Sequence, residues 1–542
     1  MRVTRRGLLA GGAAVAGLGA MPGMASAAAK AGGRAAGRTA RYVRHDVASA
    51  EGQRMLEGYA KAVGHMLSLP ADHPHNWFRN AFVHFMDCPH GNWWFYVWHR
   101  GFVGFVEQTV RHYSGMDDFA FPYWDWTENP ALPQAMFKGP LTPVADAFAP
   151  YTRDLPTFTA FIQPALKAYW SKLNKAQQAQ QGLRGNKTFD DLWNGVTGNN
   201  GSDPGDQAFA ATARARYPTA DNAALPQYLA DMCNPAAIAL GLAPKLFNAG
   251  NKTDSFTSSR TASHNAMPGQ QGMFFSLLEG NPHNKIHNYI GGAFDSPDSW
   301  GDGPFGNMTN NLSPVDPIFF LHHSNMDRLW WEWEGKQREA GLPTLPTDPT
   351  ELAQFKSDPF LFFWRADGTP VLDGKAGDYI DPARFDYRYE APVGQRLMAQ
   401  IAALATMETR SLPAPRLLAS APTAGAVDAL GDWPLGFSAQ QLYALITFDR
   451  PTDRNSPREF VVLLNAPDDV KTAPPGSPYY AGSVAFFGAP MPGMTHRSTF
   501  IVPLPPSLVT KAGGRLELRL APPSRRPDTP APIIQALEIR GA

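Results

Sequence analysis

Cysteine is nearly missing from this chain: 542 residues contain two, Cys88 and Cys233. Two thiols permit one disulfide and no disulfide framework, so apolar packing must hold a chain of this size. Net charge is missing too, with 48 Lys plus Arg against 48 Asp plus Glu. A balanced chain gives no electrostatic case for nucleic acid or for an anionic membrane surface as partner. Long apolar runs are also lacking. The one apolar stretch, ending near Ala20, is too short and too glycine-rich to span a bilayer.

The N-terminus carries Thr4-Arg5-Arg6-Gly7-Leu8-Leu9, then that Gly- and Ala-rich stretch, then Ala25-Ser26-Ala27. This is the pattern of a twin-arginine export signal with a small-residue cleavage site, so residues 1–27 are predicted to be a leader. That route moves folded proteins and implies a periplasmic or extracellular destination. The length exceeds what one hydrophobic core supports, and apolar content of 44% is that of an ordinary globular chain. Abundant Gly (49) and Pro (50) suggest long irregular loops.

The spacing predicts helices over Glu51–Leu67, Trp77–His84 and Trp93–Tyr113. Asn281-Pro282 and Asp316-Pro317 both read as an N-cap followed by proline at the first helical position, the second opening a helix over Ile318–Ala340. Residues 198–205 read as a surface loop. After Tyr389 the character changes. Residues 391–430 read as a linker, and from 431 to 542 short β-like segments follow: Leu442–Phe448, Glu459–Leu464, Ser483–Phe487, Ser498–Val502, Arg515–Leu520 and Ile533–Ile539. The expectation is a mainly α protein: a helical-bundle core over 28–390 with ligands facing inward, plus a C-terminal β-sandwich.

Half of the fourteen histidines sit in two short regions. The first holds His84, His90 and His99, with Cys88 two residues before His90. The second holds His283 and His287, one helical turn apart on one face, and then His322-His323. Geometry alone leaves the choice within that adjacent pair open. Imidazole sites without an obligatory carboxylate or thiolate point to copper rather than magnesium, calcium or structural zinc. Asp327, four residues after His323, is placed to accept the other ring N–H of a ligand histidine and fix its tautomer. The tight His84-to-His90 interval needs a sharp turn at Cys88-Pro89; His65, His73 and His75 are rival ligands there.

With these residues in place, the chain resembles the tyrosinase and polyphenol oxidase family of type 3 copper proteins. The resemblance rests on Cys88-Pro89-His90-Gly91-Asn92-Trp93, Trp98-His99-Arg100, Phe121–Trp126, Pro282-His283-Asn284, His287-Asn288, Asp316–Arg328 and Tyr387-Arg388-Tyr389, across about residues 50–390. A weaker similarity to the C-terminal domain of plant-like members runs through Arg458–Val462 and Ala481–Ser483. The resemblance implies two copper ions, one on His84, His90 and His99, the other on His283, His287 and His323. It implies a thioether between Cys88 and His90. It also implies that Glu279 and Asn284 hold a water that removes a phenol's proton.

The expected activity is oxidation of o-diphenols to o-quinones by O2, with hydroxylation of monophenols first. The alternatives are a catechol or o-aminophenol oxidase without hydroxylation, a dioxygen carrier, and a zinc hydrolase. The expected partners are a phenolic small molecule, O2 and a copper chaperone; the oligomeric state is not legible. The C-terminal domain is expected to cover the site until cleavage near 390–430.

Overall fold

Capping and helical spacing, read along the computed structural model, explain the helical layer. Described are residues 40–201, 216–266, 272–292, 306–390, 418–421, 424–427, 442–449, 458–487, 497–511, 516–522 and 532–541. Helix α1, Ala50–Ser68, starts at Ser49, whose side chain accepts from the Gly52 N–H, and buries Met55, Leu56, Tyr59, Ala62, Val63 and Met66. Helix α2, Trp77–Asp87, starts at Asn76, which accepts from the Phe78 and Arg79 N–H groups, and every one of its residues is buried. Helix α3, Phe95–Ser114, stops at Gly115 in the left-handed region, φ 70°. Helix α4 spans Asn284–Gly291 and helix α5 spans Ile318–Glu339. At the start of α5, Asp316 Oδ1 accepts the Ile318 N–H at 3.1 Å.

Two expectations along this stretch need correction. Asn281-Pro282 does not begin a helix: Glu279–His283 forms a wide π-turn that runs into α4 with Pro282 inside it. Proline has no N–H to give to the preceding turn, and a wider turn absorbs the missing bond. Residues 198–201, read as loop, close the helix Phe189–Gly201; the rest of that expected loop lies outside the described residues, as do the leader and 391–417.

The strands are β1 Tyr42–Arg44, β2 Met273–Phe275, β3 Tyr387–Tyr389, β4 Leu418–Ala421, β5 Ala424–Val427, β6 Leu442–Asp449, β7 Glu459–Leu464, β8 Tyr480–Ala485, β9 Arg497–Leu504, β10 Leu516–Ala521 and β11 Ile533–Gly541. Parallel pairing of β1 with β3 joins the two ends of the helical region. The rest form a five-stranded sheet, β4-β5-β10-β7-β8, and a four-stranded sheet, β11-β6-β9-β2. One core that includes Phe448, Phe460, Phe486 and Phe500 holds residues of both sheets, as a sandwich requires. Strands β4 and β5 fall inside the segment read as linker, so the C-terminal sheets begin earlier than composition suggested. Strand β2 belongs to the helical region by sequence, yet pairs with β9 in the register Met273↔Ser498 to Phe275↔Phe500.

Candidate metal centre

Six elements deliver the histidines to one place. His84 comes from the last turn of α2, His90 from the loop after it, His99 from α3, His283 from the π-turn, His287 from α4 and His323 from α5. His84, His90 and His99 form a triangle with ring centroids 5.3–5.5 Å apart. His283, His287 and His323 form a second, 4.6–5.5 Å apart. The triangles face each other: His99 stacks on His323 at 4.2 Å, and His90 lies 5.8 Å from His283.

The hydrogen bonds behind the rings decide which nitrogen is free. Nδ1 of His84 donates to the Asn311 carbonyl, Nδ1 of His99 to Phe95 and Nδ1 of His287 to Met308, each at 2.7 Å. Nδ1 of His283 donates to Asn284 Oδ1 at 2.9 Å. A ring that donates from Nδ1 keeps a bare lone pair on Nε2, as a metal ligand must. The Nε2 atoms of His84 and His99 lie 3.4 Å apart, and those of His287 and His323 lie 3.3 Å apart. Those of His90 and His283 are buried without a protein partner. Burial holds His84 and His283 down to about 3 and the other four well below the usual imidazole range, so all six are neutral. Neutral nitrogen donors packed this closely fit two copper ions. His322 is also buried and lies with His283, His287 and His323 in one group of nitrogens within 4.8 Å of one another.

Cys88 and Cys233 are both buried free thiols. Cys88 Sγ lies 3.5 Å from His90 Nδ1. The rivals stay away from this group: His75 Nε2 bonds the Arg365 carbonyl at 2.8 Å, His73 edges His75, and His65 stacks on Tyr113. Asp327 departs from expectation. Its partners are not a ligand ring but Arg100 Nε at 2.6 Å, Arg44 at 3.0 Å, the Tyr389 hydroxyl at 2.6 Å and the Tyr387 hydroxyl. Two guanidinium groups reach the buried carboxylate first, and its charge is needed to balance them.

Glu279 and Asn284 have separate partners. Glu279 accepts the Gly91 N–H at 2.5 Å and the Ser258 hydroxyl. Burial pushes its carboxyl up to about 8, against the opposing pull of those two bonds. Asn284 Nδ2 donates to the Ala485 carbonyl at 2.9 Å, in β8 of the C-terminal sheets. Just past β8, the Phe487 ring lies 4.4 Å from His90, 4.6 Å from His287, 6.0 Å from His283 and 6.5 Å from His84. Sequence reasoning missed Phe487, Ser258 and the carbonyls of Met308 and Asn311. A backbone carbonyl leaves no mark in a sequence, and one Phe among 33 carries no signal.

A helical core that presents two facing all-imidazole clusters defines a binuclear metalloprotein. Residues 65–336 match the family described as the common central domain of tyrosinase. The chain belongs to the tyrosinase family, whose members carry a binuclear copper centre. It is 24% identical over 363 residues to the chloroplastic polyphenol oxidase of Spinacia oleracea, covering 63% of this chain and 45% of that protein. It is 24% identical over 293 residues to a tyrosinase of Hahella sp. (strain CCB-MM4), covering 52% of this chain and 43% of that one. The matches thus span about half the length of these curated relatives. Among solved structures it shares its fold with a latent aurone synthase (polyphenol oxidase), with TM-score 0.53, 17% identity, and coverage of 93% and 90% of the two chains.

Proposed function

We propose that this protein is an exported copper oxidase that converts o-diphenols to o-quinones with O2, hydroxylates monophenols, and is kept latent by its own C-terminal domain. The observation that carries this reading is an aromatic ring, Phe487, lying against four of the six clustered imidazoles. A pocket that accepts a phenyl ring beside imidazole ligands accepts a phenol there once that ring withdraws.

Two copper ions held by His84, His90, His99 and by His283, His287, His323 supply the O2 chemistry. The protein supplies the rest. Anchored rings fix the two sites relative to each other. Buried aromatic walls, Phe95 and Phe319 among them, exclude water. Glu279, with Asn284 beside His283, accepts the phenol proton by way of a water. Cys88 forms a thioether to a ring carbon of His90, the S–H and ring C–H bonds giving up two protons and two electrons to O2 as oxidant. This bond pins the one ligand ring carried by a loop. No helix among the described residues is long and apolar enough to cross a membrane; export by the twin-arginine route rests on residues 1–27 and is tested by fusing them to a reporter, with Arg5→Lys/Arg6→Lys as the block.

The test is O2 uptake by copper-loaded protein, full length, cut near residue 390, and with Phe487→Ala, given a monophenol and an o-diphenol. Uptake with both substrates is expected, stronger with Phe487→Ala and, in the cut protein, once the C-terminal region has separated. Uptake with the diphenol alone identifies a catechol oxidase. Reversible O2 binding without turnover in any form overturns the enzyme reading in favour of a carrier.

A further inference from the structure

Glu279 is fully buried, and its two oxygens are held from opposite segments of the chain. On one side stands the Gly91 N–H at 2.5 Å. Gly91 has φ 65°, a conformation L side chains rarely adopt, and a Cβ there would press on the Met273 side chain, so glycine suits the point at which this N–H is delivered. On the other side stands Ser258. Its Oγ already accepts the Ser276 N–H at 2.9 Å. A hydroxyl has one proton, and Ser258 is buried away from solvent, so that proton goes to Glu279.

Ser258 is itself fixed through its neighbour. Ser259 N–H donates to the Phe274 carbonyl at 3.1 Å, and the Phe274 N–H donates to Ser259 Oγ at 2.7 Å. Strand β2 is in turn fixed by β9, with Phe275 stacked on Phe500 at 4.9 Å. The Ser258 hydroxyl therefore stands on a buried segment pinned to strand β2 by the hydrogen bonds of Ser259, and a positioning group needs such fixed support.

We propose that Ser258 is a positioning residue for monophenol hydroxylation: it holds the Glu279 carboxylate in the orientation in which that group accepts the phenol proton. This rests on the reading of Glu279 as proton acceptor. Two donors, one on each oxygen, leave the carboxylate no rotation about its last bond. With one donor gone it turns, and displacement of a reacting group by about 1 Å costs on the order of 100-fold in rate. Oxidation of an o-diphenol does not draw on Glu279 in this reading and serves as the internal reference.

The experiment uses full-length, copper-loaded protein opened by Phe487→Ala, with Ser258→Ala, Ser258→Thr and Glu279→Gln added singly. Turnover of a monophenol and of an o-diphenol is measured, with kcat and KM separated and copper content checked. Ser258→Ala is expected to lower the monophenol-to-diphenol kcat ratio at least tenfold with KM little changed, and Ser258→Thr to restore it. Should the alanine variant not fold, Ser258→Cys, a weaker donor of similar size, carries the same expectation in smaller measure. An unchanged ratio, or an equal fall in both activities, overturns the proposal. If Glu279→Gln keeps its hydroxylation, the Glu279 reading itself falls; if that variant loses hydroxylation while Ser258→Ala keeps it, only the role of Ser258 falls.

Discussion

At the scale of the residue, His264 shows how the helical core handles a buried charge. Its Nε2 lies 2.9 Å from Asp87 and its Nδ1 meets Asp358, with no solvent near. Burial alone would lower this imidazole, but the two carboxylates outweigh it and raise it to about 9. A group whose folded value lies above its unfolded one stabilises fully below the unfolded value. His264 therefore contributes in full below about pH 6.5, and the contribution is lost as pH rises through about 9. It is worth up to roughly 3 kcal/mol. The melting temperature of His264→Gln should fall furthest below that of the native protein near pH 6, and the gap should close toward pH 10; a gap independent of pH removes the charge from the account. Glu279→Gln tests a different property. General-base assistance is worth about 100- to 10,000-fold, so monophenol hydroxylation should fall by at least about 100-fold while o-diphenol oxidation stays within a few-fold, as read by O2 uptake. Legibility at this scale followed chemistry. The two histidine clusters announce themselves by spacing, although the choice of His323 within the adjacent pair came only from the family resemblance, whereas Asp327 was misjudged because Arg44, which claims it, lies 283 residues away.

At the scale of the element, α4 carries two tasks. Its inner face brings His287 to the centre, and its other face binds β8. Lys285 Nζ donates to Ser483 Oγ at 2.6 Å, with the Glu459 carboxylate of β7 as its nearby counter-charge. Asn288 Nδ2 donates to the Phe486 carbonyl at 3.0 Å. Together with Asn284 and Ala485 these bonds set the register from which Phe487 enters the site. Hydrogen bonds to a charged group are worth about 1.5–3 kcal/mol, or roughly 10- to 100-fold in an equilibrium. Lys285→Met should therefore raise the basal o-diphenol oxidation of uncut protein by about that factor; unchanged basal activity means that docking does not depend on this contact. Most elements were readable: α1 and α5 lie within a residue or two of their expected bounds, as does β6. The π-turn was not, because Asn-Pro gives the same local signal at a helix start as inside a wide turn, and only the packing of Glu279 and His283 in the core decides between them.

At the scale of the whole molecule, composition separates a helical region from a β region near residue 390, and two independent bodies on a linker would follow from that division. The structure ties them. Strand β2, three residues from the helical region, completes the four-stranded sheet. So short a segment has no periodicity to betray it. Lys252 reaches Thr499 at 3.2 Å and Arg458 bonds the Thr309 carbonyl, each crossing between the same two regions. A sheet that loses a strand exposes an unpaired edge and the apolar ring of Phe275 beneath it, so separation carries a penalty beyond the contacts at the site. A single cut between residues 391 and 417 removes none of these bonds. The nicked protein should therefore elute in gel filtration as one species at the volume of the intact chain, separating into two only with denaturant or detergent, and its oxidase activity should rise with separation rather than with cutting. Two peaks directly after cutting, in plain buffer, mean that the shared strand does not hold the regions together, and that cleavage alone is the switch.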